Sequence, residues 1–152
     1  MYDNWAANTT VVLATLLTVS LAVLVHYEGL ILLSRGVSRL HGKQRIKVLY
    51  AILTVLALHV SEMWIFGTTL WLLMQWPDCG HILSTANGAF HLGFLDAIYL
   101  SAVTFTTVGF GDLAPVGPIR FLSGTEALTG FVLITWSASF TYLEMERYWR
   151  NP

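Results

Sequence analysis

Residues 101–118 read SAVTFTTVGFGDLAPVGP, and where this glycine-spaced, partly polar stretch sits decides the fold. Gly109 and Gly111 flank Phe110, and Asp112 is the only acid between Asp96 and Glu126. The surroundings are apolar: of 152 residues, 55% are hydrophobic and 11% charged, with a mean hydropathy of +0.63. Such values lie far from soluble averages and make a bilayer the expected solvent. Three runs, Thr10 to Leu33, Val48 to Trp76 and Ile119 to Leu143, reach the roughly 20 helical residues that cross about 30 Å of hydrocarbon. A fourth, Phe94 to Phe105, is too short to cross, which suits a helix that dips in and returns. The expected architecture is therefore an all-α integral membrane protein, with three transmembrane helices plus a re-entrant helix and loop. The quoted stretch then lies at membrane depth.

Charge and cysteine usage narrow the classes further. The net charge of −1 conceals five of the eight basic residues (Arg35, Arg39, Lys43, Arg45, Lys47) between the first two runs, while Arg147 and Arg150 follow the last. Basic flanks stay cytoplasmic, so the N-terminus is expected outside and the C-terminus inside. Charge gathered in loops gives no footing for nucleic acid. Cys79 stands alone, which rules out an internal disulfide and leaves a free thiol or a cross-link between subunits. The start, MYDNWAANTT, has an acid and no base before the first apolar run, unlike a cleaved signal. GFG lacks the third glycine of a dinucleotide fingerprint, and neither an organic cofactor nor a soluble regulatory domain is expected.

Backbone that is not helical is tolerated at membrane depth only where it is buried in protein or lines a wet cavity, because each unpartnered amide or carbonyl in hydrocarbon costs several kcal/mol. TTVGFGD must therefore line something. For successive carbonyls to point one way, the backbone must alternate between ordinary dihedrals and positive φ, which glycine adopts cheaply. Gly109 and Gly111 are spaced for that alternation. Val108 and Phe110 would then turn their side chains away from the axis, and Thr107 offers a hydroxyl beside its carbonyl. The product is a stack of oxygen cages suited to a dehydrated cation.

These residues resemble the selectivity filter of potassium channels. TTVGFGD, the amphipathic run before it and the apolar span after it are similar to the pore of the bacterial two-helix potassium channel family. The resemblance divides the chain into residues 1–47, an additional helix with a basic loop, and residues 48–152, a pore domain. That domain would comprise an outer helix (48–76), a pore helix (94–106), a filter (107–112) and an inner helix (119–145). It implies passive, potassium-selective conduction without enzymatic turnover, through a homotetramer set among lipids in a bacterial inner membrane. Permeant potassium would meet Thr107, Val108, Gly109 and Phe110, with Thr106, Gly111, Asp112 and Tyr99 as filter support. Asp112 would accept a hydrogen bond from Tyr99 or stand as an exposed loop acid. Gly130 would act as a hinge or permit close helix packing, and Ile134, Ala138 and Thr141 would line an inner cavity. Phe110 departs from the tyrosine common at its position and so removes a hydroxyl. A weakly selective cation pore and a non-conducting membrane protein that binds metal or partners stay open as alternatives.

Ionisable residues within apolar spans cost about 2.5–3.5 kcal/mol each to insert, and are functional candidates for that reason. His59 and Glu62 share a helical face, and Glu126 is expected at a similar depth. Three readings stay open for this trio: structural hydrogen bonding, a pH-sensitive gate, and a metal site. His26 and Glu28 are expected only to anchor the cytoplasmic end of the first helix.

Overall fold

The computed structural model describes residues 4–39, 44–85 and 93–149, the last three by backbone alone. Lys43 and Arg150 and the side chain of Arg147, which contribute to the expected orientation, lie outside the described residues. Three long helices and one short one form among the described residues: α1 (Trp5–Arg39), α2 (Gln44–Leu73), the short α3 (Phe94–Phe105) and α4 (Arg120–Trp149). A 3-10 turn, Pro77–Cys79, leads to β1 (His81–Ser84), which pairs antiparallel with β2 (Leu113–Val116), Ser84 opposite Leu113 and His81 opposite Val116.

Helices α1 and α2 are each long and apolar enough to cross a membrane. Only 28% and 17% of their most apolar windows are buried within the chain, so they are not core helices of a soluble fold. Leucines such as Leu17 and Leu24 on α1 and Leu53 and Leu56 on α2 face outward, where lipid is the solvent that makes their exposure favourable. α4 is long but less apolar, because Ser123, Thr125, Glu126, Thr129, Thr135 and Ser137 interrupt it. The helices overrun the apolar runs at most ends, since a helix continues into the polar interface as long as its backbone is paired. α2 is the exception and stops early. Trp76 precedes Pro77 and is held extended, at φ −104° and ψ 113°, as the clash with a following proline ring requires.

Side-chain pairings fix the directions of the helices. Thr18 meets Thr69 at 3.0 Å and His26 meets Glu62 at 2.7 Å, so α1 and α2 are antiparallel. His26 also meets Ser137 at 3.3 Å, and Ser34 meets Glu144 at 3.5 Å, so α1 and α4 run the same way. On α3, Phe94 packs edge-on against Trp71, while Phe105 at the other end lies beside His59. Residue 59 is the middle of α2. The chain therefore enters the bundle along α3, stops halfway, and returns through residues 106–112 to the β ribbon. Close approach is built from glycine: a Cβ on Gly67 would lie 2.8 Å from Cα of Ile98, and one on Gly130 2.1 Å from the Phe105 carbonyl oxygen.

Cys79 is free and 3% exposed, packed in the core beside the start of α1. Burial, assisted by the neighbouring Asp78 carboxylate, pushes its thiol above the ordinary cysteine range. Since the thiolate is the reactive species, a raised value lowers the reactive fraction at any given pH below it. Maleimide labelling of the folded protein at pH 7 is expected to run slower than that of a surface cysteine and slower than that of the unfolded chain, with its rise displaced to higher pH. Non-reducing electrophoresis should show no disulfide-linked dimer; rapid labelling or a dimer band would contradict the buried placement.

Candidate ion pathway

The return segment begins where α3 runs out of helical partners. Thr106 N–H donates to Ala102 O (3.2 Å), Thr107 N–H to Thr104 O (2.9 Å), and Gly109 N–H reaches back to Val103 O at 3.0 Å. These bonds satisfy carbonyls that a helix C-terminus leaves bare. Beyond them, positive φ recurs at every second residue: Thr107 (59°), Gly109 (53°) and Gly111 (80°). The alternation expected from the two glycines thus begins one step earlier, at a threonine. Thr107 is the one non-glycine residue with positive φ among the described residues, and holding a β-branched side chain there costs about 1–3 kcal/mol.

The outer end of the segment is tied down by a residue that sequence reasoning missed. Thr85, just past β1, donates its N–H to Asp112 O at 2.9 Å. Its hydroxyl lies 2.8 Å from Gly111 O and 3.1 Å from Asp112 O. No local signal marks Thr85, because its partners are 26 and 27 residues away and depend on the β1–β2 register. Asp112 interacts with the Tyr99 hydroxyl through its side chain, the pairing expected from the sequence, and its Oδ1 is buried without a partner among the described residues. Thr106 is held to its own helix through its hydroxyl and Ala102 O (2.7 Å). Val108 and Phe110 turn outward at 55% and 71% exposure: their own chain does not supply the packing expected around them.

Behind the segment, Ser101 ties three helices together. Its hydroxyl lies 2.8 Å from Met63 O of α2 and bonds the Glu126 carboxyl of α4, leaving Glu126 Oε2 buried without a partner among the described residues. Glu126 does not join His59 and Glu62. The expected trio is instead completed by His26, whose Nδ1 lies 2.7 Å from Glu62 Oε1, while His59 Nδ1 lies 2.9 Å from Oε2. His26 is fully buried at the level of Glu62, not at the end of α1 where the sequence reading placed it. α1 overruns its apolar run and packs directly on α2 and α4. Glu28 is exposed on α1.

Gly130 is buried under the Phe105 carbonyl, a packing reason for the glycine, and α4 runs through it unbroken. Ile134, Ala138 and Thr141 share one groove with Ile52, Val55, Leu56 and His59 of α2. In the single chain that face is open.

The ion channel family model matches residues 46–145, which leaves α1 ahead of the matched region. Protein LctB of Geobacillus stearothermophilus is 28% identical over 99 residues, covering 52% of this chain and 74% of LctB. The inward rectifier potassium channel Kirbac3.1 of Paramagnetospirillum magnetotacticum is 34% identical over 70 residues, 45% of this chain and 23% of that channel. The chain therefore corresponds to about a quarter of that channel's length. No solved structure matches the chain.

Replacing Thr85 by valine, near in volume but without the hydroxyl, removes the single O–H that the Gly111 and Asp112 carbonyls share. Such a bond is worth about 0.5–1.5 kcal/mol. The variant is expected to lose about that much stability in this region, read as faster hydrogen exchange at residues 109–112 with protection of α1 and α2 unchanged. Gly130→Ala is expected to be more damaging, because backbone rather than a flexible side chain opposes the new Cβ. Thermal unfolding should show a loss of several degrees.

Proposed function

This chain belongs to the ion channel family, and on that premise we propose that it is a passive, potassium-selective channel whose filter is Thr107 to Phe110. The observation that carries the reading is the positive φ at Thr107, Gly109 and Gly111, on a backbone that turns at mid-bundle. Such alternation sets successive carbonyls toward a common side, and the oxygens of Thr107, Val108, Gly109 and Phe110 would replace the water around a potassium ion. The Gly111 carbonyl, held by Thr85, would mark the outer end of the stack.

One chain supplies one strand of oxygens, so a ring around an ion needs several copies related by symmetry. Four is the number the potassium channel resemblance implies. The outward-turned Val108 and Phe110 would pack against neighbouring copies, and Asp112 would stand at the outer mouth, braced by Tyr99. The C-terminal end of α3, which carries partial negative charge, stops halfway down the bundle where it would favour a cation. In this reading α4 is the third span and inner helix, and the groove containing Ile134, Ala138 and Thr141 borders the inner cavity. Arg35 and Arg39 at the end of α1 and Arg45 and Lys47 at the start of α2 would keep that end in the cytoplasm and the N-terminus outside, in a bacterial inner membrane.

The reading is tested by the reversal potential across a planar bilayer containing purified protein, with potassium on one side and sodium on the other. A strongly potassium-selective reversal is expected. Gly109→Ala should abolish it, since forcing φ +53° on a residue with a Cβ costs about 1–2 kcal/mol per copy. An unselective current would favour a pliant filter lacking the hydroxyl that Phe110 omits. Silence from a folded tetramer would sink conduction altogether.

A further inference from the structure

The conduction reading makes no use of the three buried ionisable groups where α1 crosses α2. His26 and Glu62 are fully buried and His59 nearly so, at 8%. Each imidazole presents Nδ1 to a different oxygen of the same carboxylate, at 2.7 and 2.9 Å, and one ligand atom from each residue lies within 4.8 Å of the others. The rings stack at 5.5 Å, so both stay on one side of the carboxylate.

A carboxylate buried between two imidazoles puts a negative charge in a dry interior, and among the described residues no Lys or Arg pairs with it. Burying an anion without a partner is expensive. The arrangement therefore suits a cation, and two imidazole nitrogens with one carboxylate form the donor set that borderline transition ions take, in preference to magnesium or calcium with their all-oxygen shells. Donors each about 2.0–2.2 Å from one tetrahedral zinc ion stand roughly 3.3–3.6 Å apart, so the hydrogen-bonded pairs at 2.7 and 2.9 Å need to open by less than about 1 Å to admit it. The rest of the His26 ring is already oriented: Ser137 of α4 lies 3.3 Å from Nε2, the outer contact that fixes a ligating histidine. An approach exists as well, because His59 borders the groove between α2 and α4.

We propose that His26, His59 and Glu62 form a binding site for a divalent transition-metal ion, zinc in type, that joins α1 to the outer face of the pore region. To ligate, each imidazole presents an unprotonated Nδ1 and keeps its one proton on Nε2, so that the dication, two neutral rings and one carboxylate together carry a net positive charge in place of the carboxylate's negative one. His26 and His59 come from different helices, so the ion would clamp α1 against α2. Phe105, where α3 ends, packs on His59 with ring centroids 5.9 Å apart, which sets the clamp directly behind the start of the return segment.

The test uses full-length protein in detergent, stripped with chelator, dialysed against zinc or cobalt(II), and assayed for metal per chain. One tightly held ion per chain is expected, with the intense visible absorption of low-symmetry cobalt(II) and little uptake of calcium or magnesium. His59→Asn should lose the ion, while Glu126→Gln, outside the cluster, should keep it. His26→Cys supplies a readout that a purely structural histidine would not give: the cobalt form should gain a thiolate charge-transfer band in the near ultraviolet. Absence of stoichiometric uptake by folded wild-type protein overturns the proposal and leaves a proton as the compensating cation. Uptake that survives in His59→Asn, or that lacks the thiolate band in His26→Cys, places the ion elsewhere and overturns it equally. None of these measurements depends on ion conduction.

Discussion

Backbone that leaves a helix halfway through a membrane protein must find partners for every N–H and C=O or face a wet path, and the fold is arranged around that requirement. α3 ends at Phe105, level with the middle of α2. The next amides turn back onto its last carbonyls, with Gly109 N–H on Val103 O. What then remains is a run of carbonyls without helical partners, whose direction is set by the sign of φ. Two glycines adopt the positive values at little cost; Thr107 adopts one against its own preference. A strained threonine held this way requires its surroundings to over-determine it, and the bonds from Thr106 and Thr107 into the end of α3 supply part of that hold.

The scaffold that keeps α3 in place relies on small residues and on one hydroxyl. Gly67 and Gly130 let α2 and α4 approach the helix to distances that a methyl group would prevent, which matters in lipid, where apolar surfaces gain little from meeting one another and close packing carries the association. Ser101 completes the contact by reaching both Met63 O and the Glu126 carboxyl. Such a bond between helices contributes about 0.6–2 kcal/mol in a membrane setting. Its larger effect is positional, because it fixes both the depth and the rotation of α3 against its two neighbours. The ribbon of β1 and β2 does the same at the outer end by bringing Thr85 to the Gly111 and Asp112 carbonyls.

α1 lies ahead of the region that matches the ion channel family, yet it is not a loose appendage. Its contacts run from Thr18–Thr69 through His26–Glu62 to Ser34–Glu144, so it is keyed by polar pairs to both long helices beside it. Buried polar pairs of this kind specify register as well as contributing energy. A helix held only by leucines would slide against α2 more freely.

The sequence by itself determined that the chain is a helical membrane protein, because three long apolar runs and lipid-compatible composition leave few other outcomes. It determined also where the backbone must depart from helix, since Gly109 and Gly111 mark sites of positive φ by their chemistry alone. Contacts between elements were a different matter. His59 and Glu62 were legible as a pair through helical spacing, but Glu126 was joined to them on depth, and only helix rotation shows that it faces Ser101 instead. His26 looked like an end-of-helix residue until the overlap of α1 with α2 brought it to Glu62. Thr85 and the β ribbon were invisible: four-residue strands, one containing Pro115, carry no usable periodicity, and their pairing joins residues about thirty positions apart. Local chemistry is written in composition and spacing, whereas partners from separate helices follow from how those helices rotate and slide when packed, which no single segment encodes.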